Sequence, residues 1–104
     1  MQSGYVYIMQ CGHLFKIGCS AKPKERRASI EGRAWLQAAT SCPVSMLKVW
    51  PSSDQYGDER KLQGRLWRHH QAGEWFSIPP RVLAVLLRLP SLDAIREEWA
   101  NVKP

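Results

Sequence analysis

The sequence predicts a small α/β fold of the α+β type, in which a central antiparallel or mixed β-sheet is flanked by helices. The chain has 104 residues, a length that suits a single domain over residues 1–104. Apolar residues make up 44% of the chain and include five tryptophans, so one small core is possible. The apolar pattern gives two strands, a helix, a strand and a helix, then a short extended segment and two small helices.

The chain opens with a predicted β-hairpin. Residues Gly4–Gln10 and Leu14–Cys19 have strand composition, and Cys11-Gly12 between them suits a turn. A turn centred on these two residues places Tyr7 opposite Lys16.

The two faces of this hairpin differ in chemistry. Because strand side chains alternate, one face is wholly apolar and is expected to enter the core. Its members are Val6, Ile8, Phe15 and Ile17. The other face carries Tyr5, Tyr7, Lys16 and Gly18. Amphipathic tyrosine and lysine suit a solvated surface, and the same groups suit one face of an active site.

A basic helix and a buried strand are predicted next. The segment SAKPKERRASIEGRAW is typical of a helix entered near Ser20, with Pro23 in its first turn. Three- and four-residue spacing brings either Arg26 or Arg27 close to its apolar stripe, although a solvated basic face explains the same residues. The segment Pro43–Pro51 is apolar on both faces, which predicts a buried strand.

A long helix is predicted from a cap within residues 52–54 through His70. Glu59 shares its apolar stripe with Leu62, Leu66 and His70. A carboxylate on that stripe costs free energy unless a cation or a hydrogen-bond donor compensates it. The alternative is that Glu59 only stabilises the N-terminal end of the helix through the helix dipole.

Short elements are predicted in the C-terminal part. GEWFSI suits an edge strand or an extended segment, and its aromatic residues are expected to anchor the core. PPRVLAVLLRLP predicts a helix from Pro80, and Ser91 is expected to cap a last helix, LDAIREEWA. These helices, over about residues 79–101, either cover the sheet or form a dimer surface.

The charge of the chain favours an anionic partner. Fifteen Lys and Arg against nine Asp and Glu give a formal net charge of +6. Nucleic acid is such a partner, although other basic domains share this balance. The run Val82–Leu87 is too short to cross a bilayer, and no secretory leader pattern is present, so the chain is expected to be cytoplasmic.

The cysteines are odd in number and form no CxxC pair. They are Cys11, Cys19 and Cys42. This pattern predicts free thiols, with a zinc site that includes histidine as the less favoured alternative. The histidines available for it are His13, His69 and His70.

Motifs in order along the chain resemble the GIY-YIG nuclease superfamily. YVYIM, with Val6-Tyr7, stands at the first motif of that family, and KIG, Lys16–Gly18, stands at the second. The later matches are Ser20, Pro23, Arg26, Glu59 and GEWF over Gly73–Phe76. The spacing is similar to the small branch named after phage T5 Orf172 and after a meiotically up-regulated yeast gene. The matching positions outside the catalytic set are Val6, Ile17, Gly18, Pro23, Gly73, Trp75 and Phe76, within a core of about residues 4–78.

This resemblance implies a GIY-YIG-like sheet flanked by helices and a site that hydrolyses DNA phosphodiester bonds. The catalytic positions fall on Tyr7, Lys16, Arg26 and Glu59. In the family the glutamate binds one divalent cation, usually Mg²⁺ or Mn²⁺, so Glu59 is the implied metal ligand. The tyrosine assists the attacking water and the arginine supports the phosphate.

Nucleic acid, most simply DNA, is the implied partner. The residues expected to contact it are Tyr5, Lys16, Ser20, Lys22, Lys24, Arg26, Arg27 and His70. The choice between DNA and RNA stays open at this point. At this length the chain is expected to carry no separate recognition domain, so targeting is expected to come from a partner protein, from self-association such as a homodimer, or to be weak.

The sequence also departs from the family pattern. Lys16 replaces the second-motif tyrosine, although this branch commonly has lysine there, and Tyr5 stands at a glycine position. Gln63 and His70 stand where the branch has a histidine and an arginine. Positive charge on Lys16 is expected either to lower the pKa of Tyr7 or to contact a phosphate. The favoured function is a metal-dependent DNA endonuclease; the alternatives are an inactive DNA-binding module and a regulatory or adaptor protein on the same fold.

Overall fold

A computed structural model describes residues 3–26 and 44–94 and contains one five-stranded sheet. The strands are β1 (Gly4–Cys11), β2 (Leu14–Ser20), β3 (Ser45–Ser52), β4 (His70–Ala72) and β5 (Trp75–Phe76). Their order across the sheet is β3-β1-β2-β5-β4, and every pair is antiparallel. The helices are α1 (Gln55–Arg65) and α2 (Pro80–Arg88), with 3-10 turns at Trp67–His69 and Leu92–Ala94; residues 23–26 are also helical. The predicted α+β class is confirmed.

The turn of the β1–β2 hairpin lies one residue later than predicted. Gly12 and His13 form it, and Tyr7 lies opposite Gly18 instead of Lys16. Gly12 has a φ of 62°, a left-handed conformation that glycine adopts without strain, so it opens a tight turn. The pairing therefore shifts by two residues, and an even shift leaves every side chain on its predicted face.

The apolar face of the hairpin enters the core, as predicted. Val6, Ile8 and Ile17 are fully buried and Phe15 is nearly so. Both helices pack on this face through one continuous cluster. Its other buried members are Trp50, Leu62, Leu66, Phe76, Ile78, Val82, Leu86 and Leu89. The indole nitrogen of Trp50 donates to the Leu89 carbonyl at 3.0 Å, which satisfies its one polar group inside the core.

Helix α1 begins as predicted but ends earlier. The Asp54 carboxylate caps it by accepting from the Gly57 amide at 3.3 Å. The helix ends at Arg65, and His70 begins β4 instead of continuing the helical stripe. Gly73, with a φ of 55°, makes a turn that lets residues 70–72 pair with β5. This pairing competes with the helix, and it places β5 between β2 and β4 rather than at an edge of the sheet.

The cysteines correct another expectation. Cys11 is disulfide-bonded and Cys19 is a free thiol, so the prediction of three free thiols is wrong for Cys11. Cys42 lies outside the described residues. Across residues 3–26 and 44–94, no three His, Cys, Asp or Glu side chains are placed to hold a metal.

The structure describes part of the C-terminal segment for which helices were predicted. The helix predicted from Pro80 is α2, and its side chains Val82 and Leu86 cover the sheet. The last predicted helix starts as the 3-10 turn Leu92–Ala94, and its remainder falls outside the described residues. Among the described helices, none is long and apolar enough to span a membrane.

Candidate active site

The site begins with a close approach between the first two strands. Tyr7 on β1 is 1% exposed, and its ring lies across the backbone of Gly18 on β2. A Cβ atom at Gly18 would come within 2.7 Å of Tyr7 Cζ and 2.5 Å of its hydroxyl oxygen. The glycine of the KIG motif is therefore required by packing, because any side chain there would displace the tyrosine hydroxyl.

The Tyr7 hydroxyl is hydrogen-bonded to the Arg26 side chain. Burial raises the pKa of Tyr7, the Arg26 guanidinium opposes this, and the charges of Glu74 and Glu59 add to the rise. The expectation that Lys16 lowers the pKa of Tyr7 is wrong, because burial dominates and the cation at the hydroxyl is Arg26.

Arg26 is positioned by the segment that links β2 to the following helix. The Ser20 hydroxyl accepts a hydrogen bond from the Lys22 amide at 2.9 Å, which shapes the chain into a turn. Pro23 starts the helical residues, and the Arg26 amide donates to the Lys22 carbonyl at 3.1 Å. The segment from Ser20 to Arg26 therefore forms a turn that leads into the helical residues, and the Arg26 side chain at its end meets the Tyr7 hydroxyl.

Glu59 reaches the end of β2 from α1 and is half-buried. Burial raises the pKa of its carboxyl, a hydrogen bond from the Cys19 thiol lowers it, and Glu74 raises it by charge and by hydrogen bonding. Burial together with Glu59 raises the pKa of Cys19 to about 12. The thiol is thus protonated at neutral pH and acts as a hydrogen-bond donor rather than as a nucleophile.

Gln63 attaches α1 to the sheet between two carboxylates. Its amide nitrogen donates to the Ile17 carbonyl at 2.8 Å and lies 3.5 Å from one oxygen each of Glu59 and Glu74. The residue that replaces the family's histidine is therefore part of the site, where it offers a donor to both acids.

Lys16 is paired with an acid that the sequence did not single out. The Lys16 ammonium lies 2.8 Å from a Glu74 oxygen, and Lys16 is only 7% exposed. Glu74 belongs to the GEWF motif, whose other residues matched the family pattern without a chemical role. One signal could have found it. Glu74 comes directly before the aromatic strand Trp75–Phe76, and that strand pairs with β2, which carries the buried Lys16.

An open cavity of about 410 Å³ collects these groups. It is lined by Cys19, Ser20, Ala21, Arg26, Gln55, Tyr56, Glu59 and Glu74. Arg26 and Glu59 therefore meet in one cavity, Tyr7 reaches it through its bond to Arg26, and Lys16 lies behind Glu74.

The expected nucleic-acid contacts divide between different places. Tyr5, Lys22 and Lys24 line a second groove of about 680 Å³. His70 is on β4, where it stacks on another ring. Arg27 lies outside the described residues. The hairpin, first-helix and α1 residues of the predicted catalytic set thus come together, whereas the predicted contact residues are divided among this cavity, the second groove and β4.

The donors in the cavity fit a hard divalent cation. Carboxylate oxygens are the ligands that Mg²⁺ and Mn²⁺ prefer, and both Glu59 and Glu74 line the cavity. Gln55 also lines the cavity, but its Oε1 is buried against the backbone of Gly4 and is not counted among these donors. Such a cation would take one or two protein oxygens and complete its shell with water and substrate oxygens, as Mg²⁺ usually does.

The close approach of Tyr7 and Gly18 gives a first prediction. Gly18→Ala is expected to destabilise the fold by about 1–3 kcal/mol, because the added methyl overlaps a buried ring. Chemical denaturation measures this loss. In a Tyr7→Leu background the same substitution is expected to cost much less, since leucine has no atoms at the ring Cζ and hydroxyl positions. An equal cost in both backgrounds would contradict the packing assignment.

The carboxylate pair gives a second prediction. Lys16→Met is expected to destabilise the fold at neutral pH by about 1–3 kcal/mol, because Glu59 and Glu74 then lose a partly buried cation. Burial and Glu74 hold the pKa of Glu59 above its ordinary 4.5, so the unfolded chain releases this proton at lower pH than the folded chain. The penalty should therefore be small in acid and grow as pH rises above about 4.5.

Urea denaturation at several pH values measures this dependence. The matched control is the Lys16→Met/Glu74→Gln double variant, which removes one carboxylate and should recover part of the loss at neutral pH. A pH-independent penalty, or a double variant as unstable as the sum of the two single changes, would argue against coupling of these charges.

Comparison with known proteins extends the sequence match. The model of the T5orf172 domain family matches residues 4–100, beyond residue 78, where the motif resemblance ends. No significant match was found among curated proteins or solved structures. Since the family model spans nearly the whole chain, including every element of the site described above, the chain belongs to the T5orf172 domain family.

Proposed function

We propose that this protein is a divalent-metal-dependent endonuclease that hydrolyses DNA phosphodiester bonds. The observation that supports it most is the meeting of Arg26, Glu59 and Glu74 at one open cavity, with the Tyr7 hydroxyl bonded to Arg26. A guanidinium, a hydroxyl and carboxylates are groups that this reaction requires. T5orf172 domains form a nuclease-like, DNA-binding family, which supports the same class of reaction.

Arg26 is the residue proposed to bind the reacting phosphate. Its guanidinium stays charged at neutral pH, and its planar fork matches two phosphate oxygens. The turn at Ser20 and the hydrogen bond from the Arg26 amide to the Lys22 carbonyl fix its backbone, and the Tyr7 hydroxyl contacts its side chain, so the cation is positioned before substrate arrives.

Tyr7 is proposed to orient the attacking water. Because burial raises its pKa, the hydroxyl stays protonated at neutral pH and is not a phenolate base. Arginine has only donors, so the Tyr7 oxygen accepts from Arg26 and its own proton is left to donate. A donor held at that position can bind a water or a phosphate oxygen.

Glu59 is proposed to hold one Mg²⁺ or Mn²⁺ ion, with Glu74 beside it. The charges of the site support a cation: the carboxylates of Glu59 and Glu74 balance the charges of Lys16 and Arg26, so a phosphodiester adds an unbalanced negative charge. When bound, the ion would stabilise charge on the phosphate and leaving oxygen. Lys16 is proposed to hold Glu74 in place rather than to replace the second-motif tyrosine.

Cleavage of supercoiled plasmid tests this function and gives a third prediction. Wild-type protein with Mg²⁺ or Mn²⁺ is expected to nick or linearise the plasmid. Glu59→Ala is expected to abolish cutting while the protein stays folded and binds DNA. Arg26→Ala should weaken both binding and turnover, and Tyr7→Phe should slow the chemical step by about 10²–10³.

The matched control is Asp93→Ala, which removes an exposed carboxylate outside the cavity and should leave cutting unchanged. Cutting by Glu59→Ala at the wild-type rate would refute the assignment of Glu59. Wild-type protein that cuts in none of the divalent metals would refute the nuclease proposal and leave the binding alternative.

The alternative is a DNA-binding module on the same fold that does not cut. The observation that favours it is the Lys16 ammonium, which stands at the second-motif tyrosine position and is bound by Glu74. In this reading Lys22, Lys24 and Arg26 bind phosphates without chemistry. Homodimerisation or a partner protein would then supply targeting.

Binding across a salt series gives a fourth prediction that applies to both readings. Affinity for duplex DNA in metal-free buffer is expected to fall steadily as salt rises, because bound cations release counterions from DNA. Removing one phosphate contact by Lys22→Gln or Lys24→Gln should reduce the slope of log affinity against log salt by about 1. Lys61→Gln, on the outer face of α1, is the control that should leave the slope unchanged. A flat salt response would exclude DNA as an electrostatic partner.

A further inference from the structure

Trp67 is one of three large aromatic side chains that the described residues expose. It is 57% exposed, compared with 54% for Tyr56 and 38% for Tyr5, whereas Leu62 and Leu66 just before it are fully buried. An indole in water forgoes a large hydrophobic gain, so a ligand that covers it would recover that free energy.

The exposed indole packs against two other rings. Its ring stacks on His70 with centroids 4.1 Å apart and planes only 12° from parallel. Phe76 braces both rings edge-on, at 6.3 Å from Trp67 and 5.4 Å from His70, and is itself fully buried. The His70 ring also lies 2.7 Å from the Gly73 carbonyl. One face of the indole is thus fixed against a ring, and the other is left to solvent.

The stretch of chain that carries this stack is basic. Residues 65–72 contain two arginines and two histidines and no acid. Arg65 and Arg68 are both exposed and lie on either side of Trp67 in the chain, and Arg65 also lines a cavity with Asp58 and Asp93. A flat apolar face flanked by cations matches a nucleobase with its phosphates, whereas a neutral apolar peptide would not use the cations.

The stack also lies next to the proposed active site along the chain. The Gly73 carbonyl that contacts His70 belongs to the turn that carries Glu74, and Glu74 lines the cavity. The turn therefore links the stacked rings to the acid side of the cavity.

We propose that the Trp67–His70 stack binds an unpaired base of a DNA strand by stacking it on the free face of Trp67. This inference rests on DNA as the partner in the proposed function and adds a preference for single-stranded or locally unpaired DNA. Arg65 and Arg68 contact the flanking phosphates. The base is held without sequence readout, since every base has a face that stacks on an aromatic ring.

Fluorescence anisotropy with a labelled single strand of about ten nucleotides, in metal-free buffer, tests the proposal. Trp67→Leu is expected to weaken binding about 5- to 100-fold, the range that corresponds to loss of one base stack. Trp67→Phe keeps an aromatic face and should retain most of the affinity. Duplex DNA, whose bases are already stacked, should bind both variants as it binds the wild type.

Two controls separate stacking from charge and from folding. Arg65→Gln should reduce the salt dependence of binding, whereas Trp67→Leu should leave that slope unchanged. A strand of the same length with abasic sites should bind the wild-type protein about as weakly as the normal strand binds Trp67→Leu, and this arm needs no variant.

The outcomes decide between the two proposals. Equal binding of normal and abasic strands by the wild type, or undiminished binding by Trp67→Leu, overturns the stacking site while Glu59-dependent plasmid cutting can still stand. A wild-type protein that binds no single strand overturns the stacking site as well. Loss of cutting with the strand preference intact overturns the nuclease and leaves the stacking site.

Discussion

The site depends on the hydrogen bonds made by the backbone amide and carbonyl of Ile17. Strand β5 has only two residues and pairs with Phe15 and Lys16. On the side opposite β1, β2 therefore continues past the end of its partner strand. Buried backbone groups need hydrogen bonds, and at Ile17 both come from outside the strand ladder. The Ile17 amide donates to the Glu74 carbonyl at 3.1 Å, and its carbonyl accepts from the Gln63 side chain at 2.8 Å. A single residue therefore binds the β4–β5 turn and helix α1 to the same point of β2.

This arrangement brings the acids together and sets their chemistry. Gln63 docks α1 so that Glu59, one helical turn earlier, reaches Cys19, while the turn places Glu74 beside Lys16. Both acids then lie near one side-chain amide in a partly buried space. The raised pKa of Glu59 is the expected result, because neither burial nor a neighbouring carboxylate favours its ionised form. The same repulsion makes the site receptive to positive charge, which is the physical link between packing and proposed chemistry.

The sequence predicts side-chain faces better than contacts. The two-residue alternation of β1 and β2 placed Val6 and Ile8 in the core and Tyr7 on the other face even though the turn was misplaced, because the register moved by an even number. Contacts between residues far apart in the sequence were harder to predict. Lys16 and Glu74 are 58 residues apart, and no local pattern joins them. The end of α1 was missed for a similar reason, since the pairing of β4 with β5 and the left-handed turn at Gly73 outweigh local helical periodicity at His70.

The environment of Tyr7 shows the same limit for electrostatics. A lysine on the same hairpin face suggested a lowered pKa, but the result depends on burial and on the partner that the lysine already has. Lys16 is bound to Glu74, and the Tyr7 hydroxyl meets Arg26 from another element. Which cation faces Tyr7 is decided by how strand β1, the turn at Ser20 and the helical residues 23–26 pack together.

The short β4–β5 hairpin is the part of the site most sensitive to local opening. It has three- and two-residue strands, and the described anchors that hold it are the buried ring of Phe76 and the bonds to β2 at Lys16 and Ile17. Segments with few ladder hydrogen bonds open at lower free energy than the core. Opening of the hairpin away from β2 would release Glu74 from Lys16. The same hairpin carries His70 and Phe76, which pack on Trp67, so one short element supports both the Glu74 side of the cavity and the stacked rings.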